Sequence, residues 1–267
     1  MMNPAFAARA LALAALCGLL ACSNKPTVPD ATLTPAQVQP PQLASPQVRA
    51  QLHTDLGAGY YERGQMDVAV EELNLAIKAD PTYARAYNIS GLVYATLGED
   101  ARAEQSFIKA LQLAPNDSET RQNWGWYLCT HQRGRDSLAE FDAAARNPLY
   151  KTPEVALVNA GRCAQASGDT AAAESYFRRA LAGQPGNPLA SLGLAQIAYR
   201  AHRYDEARGW MKGAMQTTNP PPDALRLGAC IERRLGDRQA ELSYVSQLTN
   251  RYPDAPETKA IATESCE

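Results

Sequence analysis

The chain has 267 residues, and its 26 Lys and Arg against 28 Asp and Glu give a formal net charge of −2 at pH 7. Proteins that hold nucleic acid or an anionic lipid surface by charge carry a clear basic excess. The composition therefore excludes nucleic acid as an expected partner, and it gives no reason to expect attachment to a membrane by charge alone.

The N-terminal segment has the pattern of an export signal. Arg9 precedes an apolar run over residues 10–20, which is too short to span a bilayer as a helix. The run closes with the string Leu19-Leu20-Ala21-Cys22, the pattern that a lipoprotein signal peptidase cuts. We therefore predict a signal peptide over residues 1–21 and acylation of Cys22, which would anchor the protein to a membrane. The alternative is an ordinary secretory signal whose cysteine is incidental.

The residue after the predicted acylation site bears on which membrane holds the protein. Ser23 stands there. In bacterial lipoproteins, which this N-terminus resembles, a residue other than Asp at this position favours transfer to the outer membrane. The resemblance implies a lipid anchor in the outer membrane, with the protein facing the periplasm.

Residues 22–48 are predicted to be a tether. Large apolar residues are few, and six prolines remove backbone donors and favour the polyproline II conformation. The prolines are Pro26, Pro29, Pro35, Pro40, Pro41 and Pro46. Such a segment reaches roughly 30 Å as a coil, so the folded part can stand clear of the membrane.

The remainder of the chain repeats with a period of 34 residues. Six pairs of like residues lie 34 positions apart: Gly57 and Gly91, Tyr60 and Tyr94, Ala69 and Ala103, Leu73 and Phe107, Ala76 and Ala110, and Pro81 and Pro115. This period and this order of residue types resemble the tetratricopeptide repeat. The resemblance implies an all-α, right-handed superhelical solenoid of about six helix-turn-helix repeats over residues 49–253, with a capping segment over residues 254–267.

Glycines also mark the predicted turns inside the repeats. Glycine commonly ends a helix because it adopts the left-handed conformation without a steric penalty. We place the turns between the two helices of units one to four at Gly64, Gly98, Gly134 and Gly168.

Four cysteines, Cys129, Cys163, Cys230 and Cys266, remain after Cys17 and Cys22, an even number in a compartment expected to be oxidising. The first two fall in the first helices of units three and four, which lie side by side in a solenoid, so we predict a Cys129–Cys163 bridge. Cys230 and Cys266 form the second predicted pair, between unit six and the cap. Free thiols are the alternative; a metal site is less expected, since no pair has ligand spacing.

No recognisable catalytic pattern is present. The three histidines, His53, His131 and His202, fall at dissimilar repeat positions, and the phosphate-binding, nucleophile-elbow and zinc-peptidase motifs are absent. We therefore expect no enzyme activity, no cofactor, no metal and no small-molecule substrate. A hydrolase would need a catalytic domain in addition to the repeats.

Protein binding is the function left for such a solenoid. In tetratricopeptide repeats, the second, fifth, ninth and twelfth residues of the first helix face the concave groove, and here they include Tyr61, Arg85, Asn88, Leu92, Gln122, Trp126 and Arg162. Trp126 is the best candidate anchor, because buried aromatics concentrate binding energy. Packing against the next unit is an equal alternative for Trp126 and the favoured interpretation for Tyr127. The Asn88, Asn123 and Asn159 series could hold a peptide backbone or join neighbouring helices.

Two strings and a loop make the resemblance more specific. They are Asn123-Trp124-Gly125-Trp126-Tyr127-Leu128-Cys129, Asn159-Ala160-Gly161-Arg162-Cys163 and the loop Asn147-Pro148-Leu149-Tyr150. With the lipoprotein signal, the tether and the repeats, they resemble the PilF/PilW family of type IV pilus biogenesis and stability lipoproteins. The resemblance implies a pilotin, which helps the outer-membrane secretin of the pilus to reach its membrane and multimerise. A repeat scaffold for outer-membrane protein insertion or for regulation of cell-wall synthesis is the alternative.

Overall fold

A computed structural model describes residues 45–263 and Cys266, so the predicted signal peptide, Cys22 and most of the tether lie outside the described residues. Within this part of the chain there are thirteen α-helices and no strand. The helices are α1 (Pro46–Glu62), α2 (Met66–Ala79), α3 (Ala84–Leu97), α4 (Asp100–Leu113), α5 (Ser118–Thr130), α6 (Gly134–Arg146), α7 (Pro153–Ala166), α8 (Thr170–Gly183), α9 (Pro188–Arg200), α10 (Tyr204–Ala214), α11 (Pro222–Leu235), α12 (Arg238–Arg251) and α13 (Pro256–Ala262).

The first twelve helices form six helix-turn-helix units. Each odd-numbered helix, or A helix, packs on the B helix that follows it, and it also contacts the A helix of the next unit. The short helix α13 packs on α11 and α12. This arrangement confirms the predicted all-α solenoid of six tetratricopeptide repeats.

A glycine of helix A lies in close contact with an aromatic ring of helix B. This contact explains why a glycine and a large apolar residue recur at fixed positions in the repeats. A Cβ atom added to Gly91 would lie 2.7 Å from the ring of Phe107, and one added to Gly161 would lie 2.6 Å from the ring of Phe177. Both phenylalanines are fully buried. The ring therefore occupies the volume that a side chain at the glycine would need. A large residue at the ring position thus requires glycine at the facing position. In unit one the aliphatic side chain of Leu73 takes the place of the ring, and a Cβ atom added to Gly57 would lie 2.8 Å from it.

The turn prediction is correct at three positions and wrong at one. Gly64, Gly98 and Gly168 adopt the left-handed conformation, but Gly134 is the first residue of α6. The 34-residue register places the left-handed turn position of unit three two residues earlier, at Gln132, whose φ is 61°. The repeat geometry thus imposes this conformation even where the sequence supplies no glycine.

Helix α1 begins at Pro46, inside the segment that the sequence predicts to be the tether. Proline is favourable at the first position of a helix, because its missing N–H would have no helical partner there. The Ser45 hydroxyl oxygen accepts a hydrogen bond from the Val48 amide at 3.2 Å and caps the helix. Over the described residues, no helix is both long enough and apolar enough to cross a membrane.

Candidate functional site

Successive A helices are joined by side-chain contacts along one side of the solenoid, here called the A-helix face. Arg85 of α3 forms an ion pair with Asp55 of α1. The Thr96 hydroxyl of α3 lies 3.3 Å from the hydroxyl oxygen of Tyr61. Leu92 is half-buried beside this contact. The predicted binding residues of units one and two therefore lie together, but several of their polar groups already have partners within the chain.

Asn88 does not lie on an accessible surface. Its side chain is 1% exposed, and its Oδ1 accepts a hydrogen bond of 3.1 Å from Nδ2 of Asn123 on the next A helix. A buried amide needs such a partner, because an unpaired polar group in the interior is costly. Of the two alternatives, the structure thus supports bonding between neighbouring helices. Asn88 is therefore removed from the candidate partner contacts.

The two tryptophans of α5 have different environments. Trp124 is 7% exposed and packs on Phe107, and the centroids of the two rings are 5.4 Å apart. Trp126, in contrast, is 39% exposed, and the Arg162 guanidinium of α7 lies 5.2 Å from the centroid of its ring. A guanidinium at this distance from an indole is attracted to the ring face. Trp126 therefore offers an exposed aromatic surface that a partner can cover.

Tyr127 is buried between units, in agreement with the packing role that the sequence analysis favours for it. It is 4% exposed and stacks on Trp124 at 5.2 Å between centroids. Burial raises the pKa of the Tyr127 hydroxyl to about 12, since the ionised phenolate would lose its hydration there. Tyr127 thus contributes to packing between units and offers no surface to a partner.

Gln122 is half-buried beneath the loop that follows α6. The hydroxyl of Tyr150 donates a hydrogen bond to Oε1 of Gln122. Asn147 fixes the start of the same loop, because its Nδ2 donates to the Asn116 carbonyl and to the Ser118 hydroxyl, both at 2.9 Å. The loop therefore folds back on α5 and forms one border of the A-helix face.

The structure pairs the four cysteines in the two predicted bridges. Cys129 and Cys163 join α5 to α7 with a Cα–Cα distance of 5.8 Å. Cys230 and Cys266 join α11 to the segment after α13 with a Cα–Cα distance of 5.6 Å. The first bridge lies one helical turn after Trp126 and directly after Arg162, so it holds the two helices together where these side chains meet.

The histidines lie apart and have separate partners. His53 Nδ1 lies 2.7 Å from Oε2 of Glu72 in unit one, and His202 Nδ1 lies 2.7 Å from the Tyr204 hydroxyl in unit five. His131 in unit three lies 3.1 Å from an Asp100 carboxylate oxygen. Nowhere in the described part of the chain do three His, Cys, Asp or Glu side chains form a group able to hold a metal ion.

The A-helix face continues beyond the residues predicted from the sequence. A cavity of about 240 Å³ begins at Arg162 and is lined by residues of α7, α9 and α11, among them Leu189 and Gln196. Gln165 of α7 donates a hydrogen bond of 3.2 Å to Gln196 of α9. The sequence held a usable signal, since Leu189, Gln196 and Tyr199 occupy the second, ninth and twelfth positions of unit five. The binding residues predicted from the sequence are nevertheless confined to units one to four.

Known proteins share this architecture. Models of the tetratricopeptide repeat match residues 57–98, 84–117 and 164–229. The type IV pilus assembly protein PilF of Pseudomonas aeruginosa is 26% identical over 212 residues, covering 79% of this chain and 84% of PilF.

Two solved structures resemble the chain over nearly their whole length. The crystal structure of PilW, described as a widely conserved type IV pilus biogenesis factor, has a TM-score of 0.70 and 31% identity, covering 80% of this chain and 98% of PilW. The structure of Pseudomonas aeruginosa PilF has a TM-score of 0.72 and 25% identity, covering 82% of this chain and 99% of PilF. The match thus covers nearly the whole of both proteins, and the chain belongs to the PilF/PilW family of type IV pilus tetratricopeptide-repeat proteins.

Proposed function

We propose that the chain is a pilotin of the type IV pilus: a non-enzymatic, outer-membrane lipoprotein that binds the pilus secretin and promotes its localisation or multimerisation. The observation that carries the proposal is the end-to-end match to PilW and PilF, of which 98% and 99% of the chains are covered. PilW is also 31% identical to this chain, a likeness in sequence that a shared helical repeat does not require.

The proposed binding surface is the A-helix face around Trp126. Its exposed ring lies beside Arg162, and the helices that carry the two residues are joined by the Cys129–Cys163 bridge. A rigid exposed aromatic loses little entropy when a partner covers it, so it suits the role of an anchor. Tyr61, Arg85, Leu92 and Gln122 extend the proposed contact surface along the neighbouring A helices.

The proposed membrane attachment rests on the N-terminal sequence. Acylated Cys22 would hold the protein on the outer membrane, facing the periplasm, and the proline-rich segment would give the solenoid freedom to move near it. Secretin subunits bound to the solenoid would then be concentrated at the membrane in which they assemble. Tethering raises the local concentration of binding partners and so favours multimer formation without any further contact.

A deletion strain tests the proposal. We expect loss of surface pili and loss of secretin multimers from outer-membrane fractions, with both restored by the wild-type gene. A variant carrying Trp126→Ala should restore them poorly although it accumulates normally. Normal secretin multimers in the deletion strain would contradict the proposal. Defective insertion of other outer-membrane proteins, or defective cell-wall synthesis, would instead support the scaffold alternative.

A further inference from the structure

Helix α1 carries a stripe of exposed apolar side chains. Val48, Leu52 and Leu56 follow one another at intervals of four residues, so they share one side of the helix. All three are exposed, Leu52 at 57% and Leu56 at 39%. Tyr61, which belongs to the A-helix face, lies on a different side of α1, because successive helical residues are about 100° apart. The stripe is therefore separate from the proposed protein-binding surface.

The repeat positions of Leu52 and Leu56 are buried in units two, three and four. Their equivalents there, all buried, are Ala86, Thr120 and Ala156 for Leu52, and Ser90, Trp124 and Ala160 for Leu56. Each of those A helices packs on the B helix of the unit before it. In the described part of the chain no helix precedes α1, so the two leucines have no such neighbour.

Helix α2 contributes a fourth apolar residue to the same end. Leu75 is exposed and occupies the repeat position of Arg179 in unit four. The Arg179 guanidinium reaches back to the preceding unit, where it lies 3.1 Å from an Asp142 carboxylate oxygen of α6. Leu75 therefore faces the side on which a preceding unit would lie. We call Val48, Leu52, Leu56 and Leu75 the N-terminal end face.

The other end of the solenoid is covered by the chain itself. Ile261 of α13 is buried and packs in one cluster with Leu225 of α11 and Leu248 of α12. Terminal units of solenoid proteins need a polar outer surface for solubility. An end face with four exposed aliphatic side chains therefore indicates that another surface covers it.

The path of the chain favours the membrane as that surface. Helix α1 begins directly after Ser45, and only residues 23–44 separate Ser45 from Cys22, the predicted lipid anchor. A coil of that length spans roughly 25 Å, so it would keep this end of the solenoid close to the bilayer. The local concentration of lipid at the end face would therefore be high, whereas a protein partner or a second copy of the chain must arrive from solution.

We propose that the N-terminal end face rests on the lipid bilayer, with the aliphatic side chains of α1 inserted at the interface. This inference rests on the proposed function, because it requires the anchor at Cys22. Binding strength scales with the apolar area that enters the interface, so a contact of four side chains orients the anchored protein and does not replace the anchor. The A-helix face then remains open to a protein partner.

A fluorescent probe on the end face tests the contact. The environment-sensitive dye NBD is attached to Leu52→Cys in the acylated full chain, which is reconstituted in vesicles of phosphatidylethanolamine and phosphatidylglycerol. We expect blue-shifted NBD emission and quenching by doxyl-labelled lipids. The same dye at Ile108→Cys, an exposed position of α4, should emit as in water. Water-like emission at both positions would overturn the proposal.

Two double variants test whether the whole end face makes the contact. Leu56→Ser, Leu75→Ser should reduce lipid quenching of the dye at Leu52→Cys by about half or more, because less apolar area enters the interface. Ile108→Ser, Leu242→Ser is the matched control, since it removes two exposed apolar side chains from other B helices. It should leave the quenching unchanged. Equal quenching in the two double variants would contradict the proposed contact.

Other occupants of the end face give different results. In the Cys22→Ser chain without vesicles, the dye at Leu52→Cys should emit as in water. A blue shift there would mean that a second copy or another segment of the chain covers the face. A shift that appears only with added secretin would assign the face to that protein. Either result overturns the proposal.

Failure of this inference is distinguishable from failure of the proposed function. If the end face did not contact lipid, the acylated chain would still enter vesicles, and the deletion-strain phenotypes would be unchanged. If the acylated preparation did not enter vesicles at all, the proposed lipid anchor would be wrong.

Discussion

The guanidinium of Arg162 lies 5.2 Å from the centroid of the Trp126 ring, across the contact between α5 and α7. The disulfide bond between Cys129 and Cys163 joins the same two helices, three residues after the tryptophan and one after the arginine. An exposed tryptophan is thus held by a neighbouring side chain and by a covalent link close to it. Such restraint prepares the ring for binding, because less freedom remains to be lost.

Replacement of Trp126 separates binding from stability. Trp126→Ala should lower the free energy of unfolding by less than about 1 kcal/mol, because the ring is substantially exposed. It should weaken partner binding by about 2 kcal/mol or more, as loss of an anchoring aromatic does. Thermal melting and secretin pull-down on the same preparation measure the two effects.

Trp124→Ala is the matched control, two residues earlier in the same helix. Its ring is 7% exposed and packs on Phe107 and Tyr127. Truncation should cost about 3–5 kcal/mol of stability through the cavity that it leaves. If Trp126→Ala lowered the melting temperature as strongly as Trp124→Ala, Trp126 would have a packing role and the binding surface would have to be moved.

The Cys129–Cys163 bridge should stabilise the solenoid. It spans a sequence separation of 34 residues. In the entropic model, closure of such a loop stabilises the fold by about 3–4 kcal/mol. Cys129→Ser, Cys163→Ser should therefore unfold at lower denaturant concentration while keeping its helical circular dichroism spectrum. Reduced thiols at both positions in protein taken from the periplasm would refute the bridge.

The close contact between Gly161 and Phe177 leaves no room for a side chain at Gly161. A Cβ atom at Gly161 would lie 2.6 Å from the phenylalanine ring. Gly161→Ala should therefore destabilise the protein by about 1–3 kcal/mol through overpacking, measured by chemical unfolding.

Gly209 of α10, unlike Gly161, has free space where a side chain would be. It has an ordinary helical φ, and an added Cβ atom would meet nothing within 4 Å. Gly209→Ala should therefore stabilise the protein by about 0.5–1 kcal/mol, since alanine is the better helix former. Equal effects of the two substitutions would contradict the proposed reason for the repeated glycine.

Anchoring is tested through Cys22, which lies outside the described residues. Cys22→Ser should leave the solenoid folded and release it from the outer membrane, because the acyl chains supply the affinity. Secretin multimers should then be misplaced. Membrane fractionation in a strain without the secretin checks this, and a variant still wholly in the outer membrane would disprove lipid anchoring.

The sequence predicted the fold because repeat packing acts at fixed spacing. Gly161 and Phe177 lie 16 residues apart, as do Gly91 and Phe107, so the glycine-to-aromatic contact can be seen in the chain itself. The left-handed turn at Gln132 was missed because the prediction relied on glycine, whereas the register of the unit decides the conformation.

The candidate site was less predictable for a different reason. Trp124 and Trp126 are both plausible anchors in the sequence, and only their exposure in the fold separates them. Asn88 occupies a groove position in the repeat pattern, yet its neighbour Asn123 satisfies it.

Site-specific photo-crosslinking in cells can show directly whether the A-helix face binds the secretin. A photoreactive phenylalanine replaces Trp126 or Leu189 on this face, or Ile108 or Leu242 on B helices, all four being exposed apolar residues. We expect secretin crosslinks from the first two positions and none from the other two. Crosslinks from Ile108 or Leu242, with none from Trp126 or Leu189, would contradict it.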